Sequence, residues 1–285
     1  MHCLELTCNL NNWKFFIVTN APDLFAKMKQ IFSEFRQKEL LGDMEQNNQE
    51  GNLVSVLHSN HNYEIYFLGH FYVADTEEDA LFYVYETMDL YTKNTYTQYT
   101  AWHGGVINIR GVGVGILAES HMGKSTLLAE LSGLGFECLA DDYIFYDEKY
   151  NRVIEFPIPF RLRNLELLSK DISDKILLEG YNPLSKEYEY LLKNTTNCPY
   201  SSLELFVALN RNEEFNGTYQ KLTEFEAYKE LIMNGKFISK TSINQVNKIS
   251  FSISKTIAFY QIYYSTLNQA INLLLDFIQR EKLNG

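Results

Sequence analysis

Lys124, Ser125 and the acid pair Asp141-Asp142 are the residues of this chain whose types and spacing best suit the handling of a phosphate group. Lys124 lies in the stretch Gly113-Val-Gly-Ile-Leu-Ala-Glu-Ser-His-Met-Gly-Lys-Ser-Thr-Leu-Leu128. Its apolar run Val114–Leu117 reads as a buried strand, and Leu127-Leu-Ala-Glu-Leu131 reads as a helix. A loop between such a strand and helix turns backbone N–H groups, a lysine and a hydroxyl toward nucleotide phosphates. A bare Gly-Lys-Ser arises by chance, and the strand before it and helix after it are what make this one a phosphate loop. The nucleotide-binding candidates are therefore Ser120, His121, Met122, Gly123, Lys124, Ser125 and Thr126. Lys124 would hold β/γ-phosphate oxygens, and Ser125 would ligate magnesium. Ala118 stands where the pattern usually opens with glycine, and His121 where such loops often carry another.

Downstream, Phe136-Glu-Cys-Leu-Ala-Asp-Asp-Tyr143 reads as a short apolar strand ending in two carboxylates. Transfer of a phosphoryl group to a hydroxyl needs a divalent metal and a base for the hydroxyl proton. Paired acids at the carboxyl end of a neighbouring strand can supply both, and that end of an open α/β sheet is where ligands bind. Asp142 is the expected base, with Asp141 assisting it or holding the metal; the division between the two is left open. Taken alone, Asp-Asp is a common surface turn. One helix behind a phosphate loop it becomes a site, and ATP and Mg2+ are the cofactors it calls for.

His103-Gly, the Gly111-Val-Gly113 turn, Gly123-Lys-Ser125 and Leu139-Ala-Asp-Asp142, at these spacings, resemble the catalytic core of HPr kinase/phosphorylase and its kinase relatives. The resemblance covers residues 101–164 well and the remainder in outline. It implies a serine kinase whose fold is shared with phosphoenolpyruvate carboxykinase. It also implies that His103 stands close to the catalytic carboxylate, and that Arg163 occupies a basic position that neutralises charge on the transferring group. Where that family carries a metal-holding Glu-x-Arg-Gly stretch, this chain has Arg161-Leu-Arg-Asn164, which points to a kinase without efficient phosphate removal. The pattern Phe156-Pro-Ile-Pro-Phe-Arg-Leu-Arg-Asn164 looks more like the relatives that act beside peptide-tailoring genes, including kinases of lasso-peptide serines.

These residues need a frame to hold them. The expected architecture is α/β: an α+β region over residues 1–100, then a phosphate-loop kinase domain of the HPr kinase and phosphoenolpyruvate carboxykinase type over 101–285. In the first region, residues 2–20 read as a hairpin, Ala21 to about Leu41 as a helix, and 42–51 as a polar loop. Three strands follow over 53–57, 63–68 and 70–73, then an amphipathic helix over 77–94 with Ala80, Leu81, Val84, Tyr85 and Met88 on one face. In the second region, strands are expected over 104–109 and 112–117, a hairpin over 143–156, a helix over 164–178 and a strand over 201–209. A helix over 223–233 and a long closing helix over 257–278 complete it. Gly111-x-Gly113-x-Gly115 reads as a tight turn between strands rather than a dinucleotide fingerprint, because its third glycine is misplaced and no helix follows directly.

Composition narrows the function. The chain has 285 residues, a net charge of −11 and 46% hydrophobic residues, enough for a proper core. No Lys/Arg cluster offers a basic face, so a nucleic-acid partner is not expected, and the acidity disfavours an anionic membrane. No apolar run spans a bilayer, and Met1-His-Cys-Leu-Glu-Leu lacks a basic, apolar leader, so a cytoplasmic protein is expected. Cys3, Cys8, Cys138 and Cys198 are scattered and read as reduced thiols. The expected partners are a nucleotide and a peptide or protein bearing a hydroxyl, and a homo-oligomer is compatible with this reading. Two rivals remain: a kinase of a small hydroxylated metabolite, which would use the same core, and a nucleotide-binding regulatory module that has lost catalysis.

Overall fold

In a computed structural model the chain forms two compact units. The structure describes residues 1–284 apart from 11–12, 41–51, 96–98, 167, 170–171, 173, 197, 213–216 and 237–239. The first unit comprises Met1–Tyr96, Pro159–Leu165 and Lys175–Lys193; the second comprises Thr97–Ile158, Glu166–Asp174 and Asn194–Gly285. Two stretches from the later half of the chain thus return to the first unit.

The first unit is built on a six-stranded sheet of order β3-β1-β2-β4-β5-β6. Its strands are β1 (His2–Thr7), β2 (Lys14–Thr19), β3 (Arg36–Leu40), β4 (Leu53–Ser59), β5 (Asn62–Phe67) and β6 (His70–Ala74). β1 and β2 form the expected antiparallel hairpin. The helix expected over 21–41 ends early. α1 covers Pro22–Ile31, and the polar run Arg36–Leu40 becomes an edge strand on β1; Leu41 and the loop expected over 42–51 lie outside the described residues. α2 (Glu77–Thr95) buries Ala80, Leu81, Val84, Tyr85 and Met88, the face its periodicity marked. The same unit holds a small sheet of β12 (Phe160–Leu162), β13 (Ile176–Asn182) and β14 (Glu187–Leu192), with β14 central. β13 therefore takes the end of the helix expected over 164–178.

The second unit carries the site. Its nine-stranded sheet joins β7 (Thr100–Ile109), β8 (Val112–Leu117), β9 (Glu137–Ala140), β10 (Tyr143–Asp147), β11 (Arg152–Ile154), β15 (Tyr200–Ser202), β16 (Leu205–Arg211), β17 (Thr218–Lys221) and β18 (Ala258–Tyr264). β7 is the hub, pairing antiparallel with β8, β9 and β10 along its length. β8, β16 and β18 are mutually parallel, buried strands. The single strand expected over 201–209 is two, β15 and β16. The long helix expected over 257–278 is also two elements: the parallel strand β18 and then a helix, Leu267–Asn284. The helices of this unit are α3 (Lys124–Gly133), α4 (Glu224–Met233), α5 (Lys240–Thr256) and α6 (Leu267–Asn284). Thr223 caps α4 in a reciprocal box with Glu226. The core clusters Trp102, Val106, Leu139, Ile144, Phe206 and Phe259, with the Phe206 and Phe259 rings stacked at 4.7 Å.

The glycines before the loop have distinct reasons. Gly111 takes φ +86° in the β7–β8 turn, whereas a Cβ on Gly113 would lie 1.8 Å from the Ser202 carbonyl oxygen. The turn reading of Gly111-x-Gly113-x-Gly115 holds at Gly111, and the next glycine exists for close strand approach. Among the described residues no helix is long and apolar enough to cross a membrane, and all four cysteines are free.

Candidate active site

The order β8, loop, α3, β9 puts the phosphate loop at the carboxyl end of one strand and the acid pair at the carboxyl end of another. β8 is wholly buried and stops at Leu117. Gly123 ends the loop in the left-handed conformation, φ +83°, as the N-cap of α3, and Lys124 is the first helical residue. The amides of the first turn of α3 therefore face the loop without intrahelical partners. The Tyr264 hydroxyl, at the end of β18, donates to the Met122 carbonyl and ties the loop down from across the sheet. Burial pushes the Tyr264 phenol up to about 12, so it stays a donor at any working pH.

Lys124 is turned inward and 6% exposed. Its ammonium donates to Oδ1 of Asp141, to Oδ1 of Asp142 at 3.2 Å and to the Ser125 hydroxyl at 3.4 Å. The lysine, the magnesium-ligand candidate and both acids are thus one cluster, assembled from residues 124, 125, 141 and 142. Burial works against the Lys124 charge, but Asp141 and Asp142 outweigh it and raise its pKa. Burial also raises the Asp141 carboxyl, against the pull of Lys124 and with a further push from Asp142. Asp141 is 1% exposed and its Oδ2 has no hydrogen-bond partner, whereas Asp142 is the more open acid.

The buried Asp141 carboxylate, with one unpartnered oxygen, and the Ser125 hydroxyl that interacts with this carboxylate fit a magnesium ion. No group of three or more His, Cys, Asp or Glu side chains forms a metal cage among the described residues. Magnesium does not require one, because it usually takes one or two carboxylates and completes its shell with phosphates and water.

Two residues of the site hold unusual backbone. His121 has φ +69° in the loop turn and Asp142 φ +68° in a bend, whereas the six other described non-glycine residues with positive φ all lie in turns. Asp and His adopt this region more readily than most residues, at modest cost, and such conformations gather at functional sites. Asp142 also shares its backbone carbonyl with His103, whose Nδ1 lies 3.2 Å from it. Burial lowers the His103 pKa to about 4, and Lys124 and Lys236 add to the fall. The imidazole is therefore neutral at neutral pH, beside the more open acid.

Arg163 and Arg161 belong to the first unit, where Arg163 pairs with Glu187, and Arg161 lies 2.6 Å from Glu86 and 4.0 Å from Glu189.

Beside the loop lies a cavity of about 310 Å³ lined by His103, Ala118, Glu119, Ser120, Glu230 and the segment Met233–Lys236. That segment leaves α4 and is zipped onto the start of β7: His103 N–H donates to the Asn234 carbonyl at 2.6 Å, and Lys236 N–H to Ala101 at 2.9 Å. Sequence reasoning missed this wall. Its residues sit about a hundred positions from the loop and carry no motif; only the pairing with β7 brings them in.

No protein-family model matches the chain. Several curated proteins are similar to part of it, three of which follow. HPr kinase/phosphorylase of Polaromonas naphthalenivorans is 37% identical over 90 residues, 32% of this chain and 28% of that protein. HPr kinase/phosphorylase of Verminephrobacter eiseniae is 36% identical over 148 residues, 52% of this chain and 42% of that protein. HPr kinase/phosphorylase 1 of Oceanobacillus iheyensis is 32% identical over 109 residues, 38% of this chain and 35% of that protein. The matches span less than half the length of these relatives. Among solved structures, the Hpr(Ser) kinase/phosphatase from Coxiella burnetii aligns with 65% of this chain and 99% of its own at 18% identity, with a TM-score of 0.34. Over the matched stretches, the chain is similar to HPr kinase/phosphorylases.

Proposed function

We propose that the chain is an ATP-dependent kinase that moves a γ-phosphoryl group onto a serine-type hydroxyl of a peptide or protein. The observation that carries this reading is the cluster around Lys124. A loop lysine at the N-terminus of α3 contacts two strand-end acids at once, so phosphate-binding and proton-accepting groups meet at one point.

In this reading the free α3 amides and the Lys124 ammonium bind the β- and γ-phosphates, with Lys124 leaving the carboxylates for the phosphate oxygens. Asp141 and Ser125 would hold magnesium, which when bound neutralises phosphate charge. Asp142 accepts the proton of the acceptor hydroxyl. The hydroxyl oxygen bonds to the γ-phosphorus, the bond from that phosphorus to the β–γ bridging oxygen breaks, and ADP departs. Neutral His103, against the Asp142 carbonyl, fixes the backbone of the base. Ribosomally made peptides are the acceptor class that the Phe156–Asn164 pattern favours. With Arg161-Leu-Arg-Asn164 where the resembled family carries its metal-holding Glu-x-Arg-Gly stretch, we expect forward transfer without efficient phosphate removal.

The test offers ATP, magnesium and serine peptides, with small hydroxy compounds as a second set. Wild type should phosphorylate a peptide, and Asp142→Asn should keep nucleotide binding while losing about 10²–10⁴ in transfer, the usual worth of a general base. Equal turnover by the two proteins would remove Asp142 from the role. ATP binding with no transfer to any hydroxyl would leave a nucleotide-binding regulatory module.

A further inference from the structure

The cavity beside the loop carries charges that the phosphoryl chemistry does not use. Glu230 lies in the last turn of α4, where the helix dipole disfavours a carboxylate. It is half-buried, faces the cavity, and has no ion pair or side-chain hydrogen bond with another described residue. Burial raises its pKa; Lys229 opposes the rise and Glu119, from the phosphate loop, adds to it. Lys236, the cation on the same wall, is held over the Tyr143 ring, 5.6 Å from its centroid. The cavity therefore presents an acid disfavoured by its helix and by a like-charged neighbour, and shares its lining with His103, whose ring lies against the Asp142 carbonyl.

We propose that this cavity is the acceptor pocket, and that Glu230, backed by Glu119, receives a cationic group of the acceptor next to the reacting hydroxyl. The group would be a lysine or arginine side chain or an amino-terminal ammonium. Its arrival removes the repulsion between Glu119 and Glu230 and satisfies the acid at the helix end. It also fits the wider charge of the chain, since a basic acceptor is drawn toward a net charge of −11. The volume, about 310 Å³, admits one or two residues of an extended segment rather than a folded surface. Glu230 is thus a specificity-determining residue, and its role rests on the kinase reading above.

The experiment uses blocked seven-residue peptides with one serine flanked by lysine, by norleucine or by glutamate. With ATP and magnesium, wild type should prefer the lysine peptide over the norleucine peptide by about tenfold in kcat/KM, the worth of one hydrogen bond to a half-buried charge. Glu230→Gln should bring that ratio near one by raising KM for the lysine peptide, with ATP affinity unchanged on titration. Glu230→Lys should invert the order of the lysine and glutamate peptides. Transfer to all three peptides at similar rates, or a lysine preference that survives Glu230→Gln, overturns the proposal and leaves the kinase standing. If no peptide is phosphorylated, fluorescence anisotropy of the same peptides with ADP and magnesium decides. A Glu230-dependent preference for lysine keeps the pocket while removing the kinase reading, and its absence overturns the pocket as well.

Discussion

Replacing Lys124 with methionine tests the central cluster as a structural pair before any catalysis is measured. Lys124 and Asp141 are 6% and 1% exposed, so the substitution strands a carboxylate away from water with Asp142 as its nearest charged neighbour. Removing one partner of a buried ion pair costs about 3–5 kcal/mol. A second route gives a similar ceiling. The stranded Asp141 can take up a proton instead, and holding a carboxyl of ordinary pKa near 3.9 protonated at pH 7 costs about 4 kcal/mol. The two figures agree, so the variant should lose about 3–5 kcal/mol at pH 7, read as the shift in urea unfolding.

The pH dependence gives that loss a signature. In the variant the folded-state pKa of Asp141 rises further above the unfolded value, because burial and Asp142 remain while the opposing lysine is gone. Between those two values the folded state binds more protons than the unfolded one, so stability falls as pH rises through the window. The deficit relative to wild type should therefore shrink on moving from pH 7 to pH 5. Adding Asp141→Asn to Lys124→Met removes the stranded charge and should recover most of the loss. A cost below about 1 kcal/mol, a deficit independent of pH, or no recovery in the double variant would refute a buried Lys124–Asp141 pair.

Three further outcomes follow from neighbouring residues. His103 is held to about 4 by burial first and by Lys124 and Lys236 next, so the unfolded chain takes up a proton below about 6.5 that the folded one refuses. Its contribution is complete above that pH and is lost as pH falls toward 4, amounting to at most about 2 kcal/mol between pH 7.5 and pH 5; His103→Asn should flatten that part of the urea-stability profile. Tyr264→Phe removes the hydroxyl that donates to Met122 and should cost about 1 kcal/mol in thermal unfolding, together with a several-fold weaker ATP affinity; unchanged affinity would detach the tyrosine from the loop. Gly123→Ala places a side chain at φ +83° for about 1–2 kcal/mol, a backbone cost because the new Cβ meets the Tyr264 hydroxyl at an ordinary 3.4 Å; a variant as stable as wild type would show that the loop does not need its left-handed turn.

The strand, loop, helix and second strand that carry Lys124 and Asp141 were legible because their apolar runs are short, uniform and bounded by turn residues. Where the reading failed, tertiary pairing had decided. Arg36–Leu40 is charged and without a β-branched residue, yet it is a strand because β1 offers an edge. Ala258–Tyr264 merged into an expected helix because a parallel strand buried on both faces has no alternation to betray it; its aromatic run and Ser265-Thr266 before α6 were the usable signals. α5 went unread although Val246, Ile249 and Ile253 are buried at helical spacing along it. In the site, His103 needed the resemblance to stand out, and Tyr264, Glu230 and Lys236 had no motif to mark them. Each reaches the loop through a strand pairing or a hydrogen bond that spans many residues.

The two departures in the phosphate loop bear on whether the site is live. Glycine is required only where a Cβ would clash or where φ is positive. Ala118 does neither: it is buried just past the end of β8 and is not among the residues with positive φ. Its methyl group occupies the strand end without asking the backbone for anything glycine alone can give. His121 does take φ +69°, where an L-residue costs about 1–2 kcal/mol. Asp142 bears the same kind of cost two strands away, and it is the acid most open to a substrate. A regulatory module that had lost catalysis would have no use for strain at Asp142, the base in the kinase proposed above. The strain is retained at Asp142 together with a buried lysine, a hydroxyl and an unpartnered carboxylate oxygen, which favours a working phosphoryl-transfer site over a silent one.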